Sequence, residues 1–285
     1  MKILFIICEG PHDAQFIGRL LQASGQYSSF DTKLGAYPPP LRQFISEKYT
    51  KQNVDDIRIG KPNFPLVPVC AFKAINADQL VLPVAMGGMD KYKDAISFVN
   101  ETQNDFAEDI LRQSKSKIEK VSFLFIYDAD SRGIENTVKF FRERFEDDLK
   151  LTGNIIDKQW FMSNGFMSSL FIFTGDDGNT GTLEDNLLRL FTNSSKDWVH
   201  STHKHIAEQF EPMTSDGDAT AHTAKINKGI LTTCGQIERS NAGYALTVVV
   251  RDTKLLDGAF DFSDQGTPWS QLLNLINGAF YERTK

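Results

Sequence analysis

The sequence predicts an α/β fold with a Rossmann-like, mainly parallel sheet that is flanked by helices. Two continuous apolar runs, 2–8 (KILFIIC) and 120–127 (KVSFLFIY), are typical of strands buried on both faces. A segment with the apolar spacing of a helix follows each run. This alternation of strand and helix continues to about residue 175, which indicates the crossover units of a parallel sheet.

Each predicted element of this first part has a sequence signal. The predicted strands are apolar runs at 2–8, 79–85, 120–127 and about 168–174. The predicted helices show amphipathic spacing at 12–24, 91–101, 104–117 and 133–148. Gly25 is a stop signal for the first helix, and Gly87 with Gly88 indicates a turn after the second strand.

Residues 26–76 interrupt the alternation. They contain YPPP at 37–40 and the turn sequence KPNFP at 61–65, so we interpret them as an insertion with one helix near 40–50. Between 33 and 62 the basic residues outnumber the acidic ones: Lys33, Arg42, Lys48, Lys51, Arg58 and Lys61 against Glu47, Asp55 and Asp56. The insertion is either a structural flap with a solvated face or a basic wall beside an acidic site.

Residues 176–285 are predicted to form a helical C-terminal extension. The segment TLEDNLLRLF begins a helix at Thr182, an accepted N-cap residue, and places Glu184 and Asp185 in the first turn. Further helices are predicted near 196–209, near 219–234 and in the final SQLLNLINGAFYER. A length of 285 residues fits one domain, 1–285, that carries the insertion and the extension.

Composition and charge argue against several classes of protein. A net charge of −6 argues against a broad, sequence-independent nucleic-acid binder, although it leaves room for a local basic groove. Three cysteines without a C-x-x-C pair indicate neither a structural zinc site nor a disulfide framework. The apolar run at the N-terminus is too short to span a membrane. We therefore predict a cytoplasmic protein without a membrane partner.

Three acidic residues follow two of the predicted strands. Glu9 comes directly after 2–8, and Asp128 and Asp130 come directly after 120–127. The carboxyl ends of parallel strands share one edge, so we expect the three side chains to meet. A spacing of two points Asp128 and Asp130 the same way in an extended segment.

Such a gathering of acids needs compensation. Two carboxylates about 4 Å apart repel by about 4 kcal/mol at an effective dielectric constant near 20. The cluster must therefore become protonated, pair with a base or bind a cation. Because its ligands are all oxygens, the preferred cation is Mg²⁺ or Mn²⁺.

These residues resemble the TOPRIM family, the catalytic domain of topoisomerases, primases and OLD-family nucleases. The resemblance consists of Glu9-Gly10 at a strand end, Asp13 three residues later, and Asp128-x-Asp130 after a later strand. It covers roughly 2–25 and 78–175. The segments GTLEDNLL (181–188) and AHTAKINKG (221–229) resemble small stand-alone TOPRIM-like proteins of the DUF3226 type.

The resemblance implies roles for these positions. In that family the glutamate after the first strand acts as general acid/base or metal ligand, and the Asp-x-Asp pair binds Mg²⁺. The resemblance gives these roles to Glu9 and to Asp128 and Asp130. Asp13 either caps the following helix or belongs to the metal site.

The sequence departs from the family pattern at Arg132, where topoisomerase-type sites continue with a third acid. Glu184 and Asp185 are the candidates to supply it, with compensation of a helix dipole as the alternative role for this pair.

A positive charge is also expected, because phosphoryl transfer develops negative charge in its transition state. Lys225 and Lys228 lie one turn apart on a predicted helix, and Lys225 resembles the lysine of TOPRIM nucleases. The alternative is that both lysines face solvent.

Three functions remain open at this point. The first is a Mg²⁺-dependent phosphotransferase, a nuclease acting on DNA or RNA. The second is a non-catalytic regulatory module that keeps the acidic rim and binds a nucleotide or a protein, such as an ATPase or a partner in a defence system. The third is a structural α/β protein whose acids are paired with Arg132 or a lysine. The sequence predicts no oligomeric state.

Overall fold

The computed structural model describes residues 1–30, 33–50, 66–107, 110–111, 117–193, 197–210, 219–239 and 245–281. In these residues an eight-stranded sheet, in the order β2-β3-β4-β1-β5-β8-β7-β6, is flanked by nine α-helices. The four central strands, β4, β1, β5 and β8, are parallel to their neighbours within this group, and the short outer strands are antiparallel. The predicted fold class, α/β with a mainly parallel central sheet, is confirmed.

The strands are β1 (Lys2–Cys8), β2 (Tyr27–Ser29), β3 (Phe72–Ala74), β4 (Gln79–Ala85), β5 (Lys120–Asp128), β6 (Leu151–Thr152), β7 (Trp160–Ser163) and β8 (Phe166–Phe173). The helices are α1 (Pro11–Ala23), α2 (Leu41–Thr50), α3 (Tyr92–Asp105), α4 (Gly133–Phe145), α5 (Leu183–Asn193), α6 (Asp197–Phe210), α7 (Ala219–Arg239), α8 (Leu246–Asp252) and α9 (Pro268–Gly278).

Strand β1 shows why helices cover both faces of the sheet. Its residues alternate between two hydrophobic cores, because successive side chains of a strand point to opposite faces. Leu4, Ile6 and Cys8 pack with α1 and the C-terminal helices, whereas the intervening residues pack with α2, α3 and α4. Both faces are therefore buried, as the continuous apolar sequence of the strand requires.

The insertion 26–76 contributes β2, α2 and β3 to the described structure, so its predicted helix near 40–50 is confirmed. The two short strands were not predicted. The turn at 61–65 lies outside the described residues, as do Lys51, Arg58 and Lys61. Half of the predicted helix 104–117 also lies outside them.

The described part of the C-terminal extension contributes the helices α5 to α9, with non-helical segments such as 257–267 between them, and it forms one cover of the sheet. Helix α8 was not predicted, because seven residues, Leu246–Asp252, are too short to show a clear period. None of the described helices is both long enough and apolar enough to cross a membrane.

Candidate active site at the carboxyl edge of the sheet

The ends of β1 and β5 bring Glu9 and Asp128 together. The register pairs Cys8 with Ile126, so both strands end at the same level. The backbone N–H of Asp128 donates a hydrogen bond of 3.1 Å to Oε1 of Glu9. The carbonyl of Glu9 accepts from the N–H groups of Gly87 and Gly88, at 3.1 and 2.9 Å, so the loop after β4 holds the backbone of Glu9 in place.

The pKa values of both carboxyl groups are raised. Burial raises the pKa of Glu9 to about 7, against the lowering effect of the hydrogen bond from Asp128. Burial raises the pKa of Asp128 well above its ordinary range, and the charges of Asp13, Glu9 and Glu184 add to this effect. Four acids therefore act on one another at this edge.

The beginning of α1 adds Asp13 and a residue that the sequence analysis did not single out, His12. Oδ2 of Asp13 accepts a 2.7 Å hydrogen bond from the N–H of Gly10, which closes the first turn of the helix. Oδ1 of Asp13 lies 3.1 Å from Nε2 of His12. A Cβ at Gly10 would lie 2.9 Å from Cε1 of His12, so the glycine leaves space for the imidazole ring.

Glu184, in the first turn of α5, is the most deeply buried acid of the group, with 1% of its surface exposed. Its Oε1 lies 3.3 Å from Nε2 of His12 and 3.2 Å from Nζ of Lys228. Burial alone would raise the pKa of Glu184, but these two cations hold the pKa at about 2. The same contacts raise the pKa of His12 and of Lys228 against the effect of burial.

The loop after β8 sets the position of α5. Gly181 has a φ of +116°, and a Cβ there would lie 2.3 Å from the backbone N of Gly175, so the loop closes only with glycine. Backbone hydrogen bonds of 2.8 and 2.9 Å join Gly181 to Asp130. The helix then begins beside β5, where the N–H of Leu183 donates a 2.8 Å hydrogen bond to Oδ1 of Asp128.

Asp185, unlike its neighbour Glu184, stabilises the helix start. Its Oδ2 accepts from the N–H of Thr182 at 2.7 Å, and its Oδ1 accepts from Asn227 at 2.7 Å. It thus caps α5 and connects it to α7.

Asp130 departs from the direction expected for a strand residue. It has a φ of +49°, so the extended conformation ends after β5 and the two-residue spacing no longer aligns Asp130 with Asp128. Oδ2 of Asp130 accepts a 2.7 Å hydrogen bond from Nη2 of Arg132, and the Asp130 side chain is 42% exposed. Its charge still contributes to the raised pKa of Glu9.

The two lysines of α7 differ in their surroundings. Lys228 reaches Glu184, whereas Lys225 is exposed and has no ion pair with any acid that the structure describes. The spacing of one turn predicted by the sequence is correct, and Lys228 occupies the position beside the acids.

The side chains fit a hard divalent cation. The donor set consists of carboxylate oxygens from Glu9, Asp13, Asp128 and Glu184, the ligand type that Mg²⁺ prefers. Oδ1 of Asp13 and Oε1 of Glu184 are buried and contact His12 and Lys228, so a metal ion at these oxygens would have to displace those cationic partners. Within the described ranges no three acids, histidines or cysteines have the geometry of a completed ligand set.

Comparisons with known proteins give little. No protein-family model matches the chain, and no curated protein matches it. The crystal structure of the hypothetical protein PH0156 from Pyrococcus horikoshii OT3 is similar, with a TM-score of 0.47 and 14% sequence identity. The alignment covers 98% of this chain and 95% of that chain. Similarity at this level carries no argument, so the TOPRIM resemblance stays a prediction.

Proposed function

We propose that this protein is a Mg²⁺- or Mn²⁺-dependent phosphotransferase of the TOPRIM type that acts as a nuclease on DNA or RNA. The observation that carries the proposal is the meeting of Glu9 and Asp128 at the ends of two adjacent parallel strands. Asp13 and Glu184 add two further buried carboxylates at the same edge. A cluster of this kind favours a divalent cation over protonation of all its members.

The roles follow from the surroundings of each residue. Glu9, with a pKa of about 7, exchanges a proton near neutral pH, which is the property of a general acid/base. Asp128, Asp13 and Glu184 would hold the cation through their oxygens, and the cation would supply positive charge against the charge that develops on a phosphoryl group. Lys228 adds a fixed positive charge at the same edge.

The predicted roles of Asp130 and Asp185 as metal ligands and of Lys225 as a catalytic residue find no support in their surroundings. Asp130 is paired with Arg132, both oxygens of Asp185 accept hydrogen bonds, and Lys225 is exposed. Gly10 and Arg132 are proposed to shape the rim of the site. Each of these assignments is tested by the same assay, with one substitution at a time. The proposed cytoplasmic location is independent of that assay.

The decisive experiment is a cleavage assay with the purified protein. Single- and double-stranded DNA and RNA are incubated with Mg²⁺ or Mn²⁺, and with EDTA. We expect cleavage only with metal, and a rate lower by about 100-fold or more in Asp128→Asn and Glu9→Gln. The matched control is Glu143→Gln, because Glu143 is a 59% exposed side chain on α4 that pairs with Lys139. Survival of all substrates with both metals, by a folded protein, contradicts the proposal.

One observation favours the regulatory module instead. His12 and Lys228 already compensate Glu184, so part of the cluster is stable without a metal. Such a module would bind a nucleotide or a protein, including an ATPase or a defence partner, and would leave phosphodiester bonds intact. Calorimetric titration with Mn²⁺ separates the two functions, because the module needs no affinity for the ion and the enzyme requires binding that Asp128→Asn removes.

A further inference from the structure

A cationic strip lies next to the acidic cluster. We define the arginine strip as Arg132, Arg144 and the ring of Phe140 between them. The guanidinium carbons of Arg132 and Arg144 lie 4.9 and 3.5 Å from the centroid of that ring. Arg144 also lies 5.3 Å from the centroid of Tyr92. Cation–π contacts of this kind hold a guanidinium in place without neutralising it.

The strip begins at the candidate site. The ring of Phe140 packs against the edge of Tyr127 at 6.3 Å, and Tyr127 directly precedes Asp128 in β5. Arg132, which lies over the ring of Phe140, donates a hydrogen bond to Asp130. The Arg132 end of the strip therefore lies next to Asp130, at the carboxyl edge of the sheet.

Arg144 differs from the other basic residues of α4. Lys139 and Arg142 each have a glutamate partner one turn along the helix, at 4.0 and 3.9 Å. Arg132 shares its charge with Asp130. Among the residues that the structure describes, none offers Arg144 a carboxylate. Its planar donors are held between two aromatic rings and stay available for an external anion.

The electrostatics of the site call for such a cation. An anionic polymer that approaches four clustered carboxylates is repelled, and the net charge of −6 gives it no general attraction to the protein. A fixed guanidinium beside the cluster offsets that repulsion locally. Guanidinium groups also bind phosphate oxygens in a two-point geometry that a lysine does not reproduce.

We infer that the arginine strip binds the phosphodiester backbone of a nucleic acid strand and directs it to the acidic cluster. The inference rests on the proposed function only for what happens to the strand after it is bound. The shared chemistry is the phosphodiester, and DNA and RNA are its two sources.

Binding without cleavage tests the strip directly. A fluorescein-labelled oligonucleotide, as DNA and as RNA of the same sequence, is titrated with the full-length protein in EDTA, and anisotropy is recorded at several salt concentrations. We expect Arg144→Ala to weaken binding by about tenfold and to reduce the slope of log K against log salt by about 1. The control Lys139→Ala removes the same charge from an exposed, paired position of α4 and changes the affinity by less than about twofold.

Arg144→Lys and Phe140→Leu guard against a simple folding defect. Arg144→Lys keeps the charge but loses the planar group, so its affinity falls between those of the wild type and Arg144→Ala. Melting curves of all variants show whether each is folded. Equal affinities of Arg144→Ala and Lys139→Ala overturn the inference, as does a wild-type protein that binds neither oligonucleotide.

The cleavage assay separates this inference from the proposed function. If Arg144→Ala loses binding while the wild-type protein leaves the substrates intact in Mg²⁺ and in Mn²⁺, the result supports the arginine strip and contradicts the nuclease. Metal-dependent cleavage that Arg144→Ala leaves unchanged in both KM and kcat supports the nuclease and overturns the strip.

Discussion

Glu9 and Glu184 are the same residue type at the same edge of one sheet, yet their pKa values move in opposite directions. The pKa of Glu9 rises to about 7, and that of Glu184 falls to about 2. Burial acts on both in the same sense. The difference comes from their partners, since Glu184 lies between His12 and Lys228, whereas Glu9 accepts a neutral backbone N–H.

The position of each acid in the fold explains its partners. Glu9 directly follows a central strand and lies among the ends of other strands. The arginine whose charge acts on it, Arg132, is already bound to Asp130. Glu184 lies in the first turn of a helix that packs on α7, and it also contacts His12 at the start of α1; α1 and α7 each contribute one positively charged partner. The site thus contains one carboxyl group suited to proton exchange and one that stays charged as an anchor.

The largest expected effect is a loss of stability when the charged carboxylate of Glu184 is removed. Glu184→Gln removes a carboxylate that two cations stabilise, so we expect the free energy of unfolding at pH 7 to fall by about 3 kcal/mol, at about 1.4 kcal/mol per unit of pKa difference. A depressed pKa stabilises the fold above the ordinary value of 4.5, and this contribution is lost as the pH falls towards about 2. The difference between variant and wild type should therefore shrink over that range.

Urea unfolding between pH 2 and pH 8, in EDTA, measures this difference. The control is Glu143→Gln, because the Glu143 side chain is 59% exposed and pairs with Lys139. Its effect should stay within about 0.5 kcal/mol at every pH. A Glu184→Gln protein as stable as the wild type at pH 7 would contradict the anchoring role.

The second effect has the opposite sign. Glu9→Gln mimics the protonated form, so we expect this variant to be more stable than the wild type by about 2 kcal/mol at pH 8, with partial solvation reducing the full linkage value. A raised pKa gives stability that is present below the ordinary 4.5 and lost as the pH rises through about 7. The two curves should accordingly converge near pH 4.5. Parallel curves across this range would show that Glu9 titrates normally.

A third effect is stabilisation by a metal ion that contacts both Asp128 and Glu184. A cation that bridges them binds only the folded protein, so Mn²⁺ at ten times its dissociation constant should raise the free energy of unfolding by about 1.4 kcal/mol. Asp128→Asn and Glu184→Gln should each abolish the increase in stability, because each removes one carboxylate ligand of the cation. Differential scanning calorimetry with and without Mn²⁺ measures it. An increase that persists in Asp128→Asn means that the ion binds elsewhere.

The sequence predicts the sheet well where the signal is a long apolar run. The bounds of β1 and β4 match the prediction to the residue, because a continuous apolar segment bounded by polar or turn residues leaves few alternatives. The outer strands β2, β3, β6 and β7 have two to four residues each, and their pairing depends on the neighbouring strand rather than on their own pattern.

The sequence likewise predicts only part of the candidate site. Topology alone predicts that Glu9 and Asp128 lie at one edge, because both follow parallel strands. The outward direction of Asp130 depends on a φ of +49° and on a backbone pairing with Gly181, neither of which a two-residue spacing reveals.

His12 was missed because only acids were counted in the first turn after the strand. The available signal was its position: a histidine that begins the helix after β1 lies at the edge where the acids meet.

The smallest effect distinguishes two lysines that the sequence alone does not separate. Lys228→Met removes a contact with a buried acid, but the lysine is 49% exposed and His12 still faces Glu184, so the expected loss is about 1 kcal/mol at pH 7. Lys225→Met is the matched control on the same helix, and its effect should stay within about 0.5 kcal/mol because the side chain is exposed. Urea unfolding of the pair measures the difference. A larger loss in Lys225→Met than in Lys228→Met would reassign the cation of this site to the residue that the family resemblance selects.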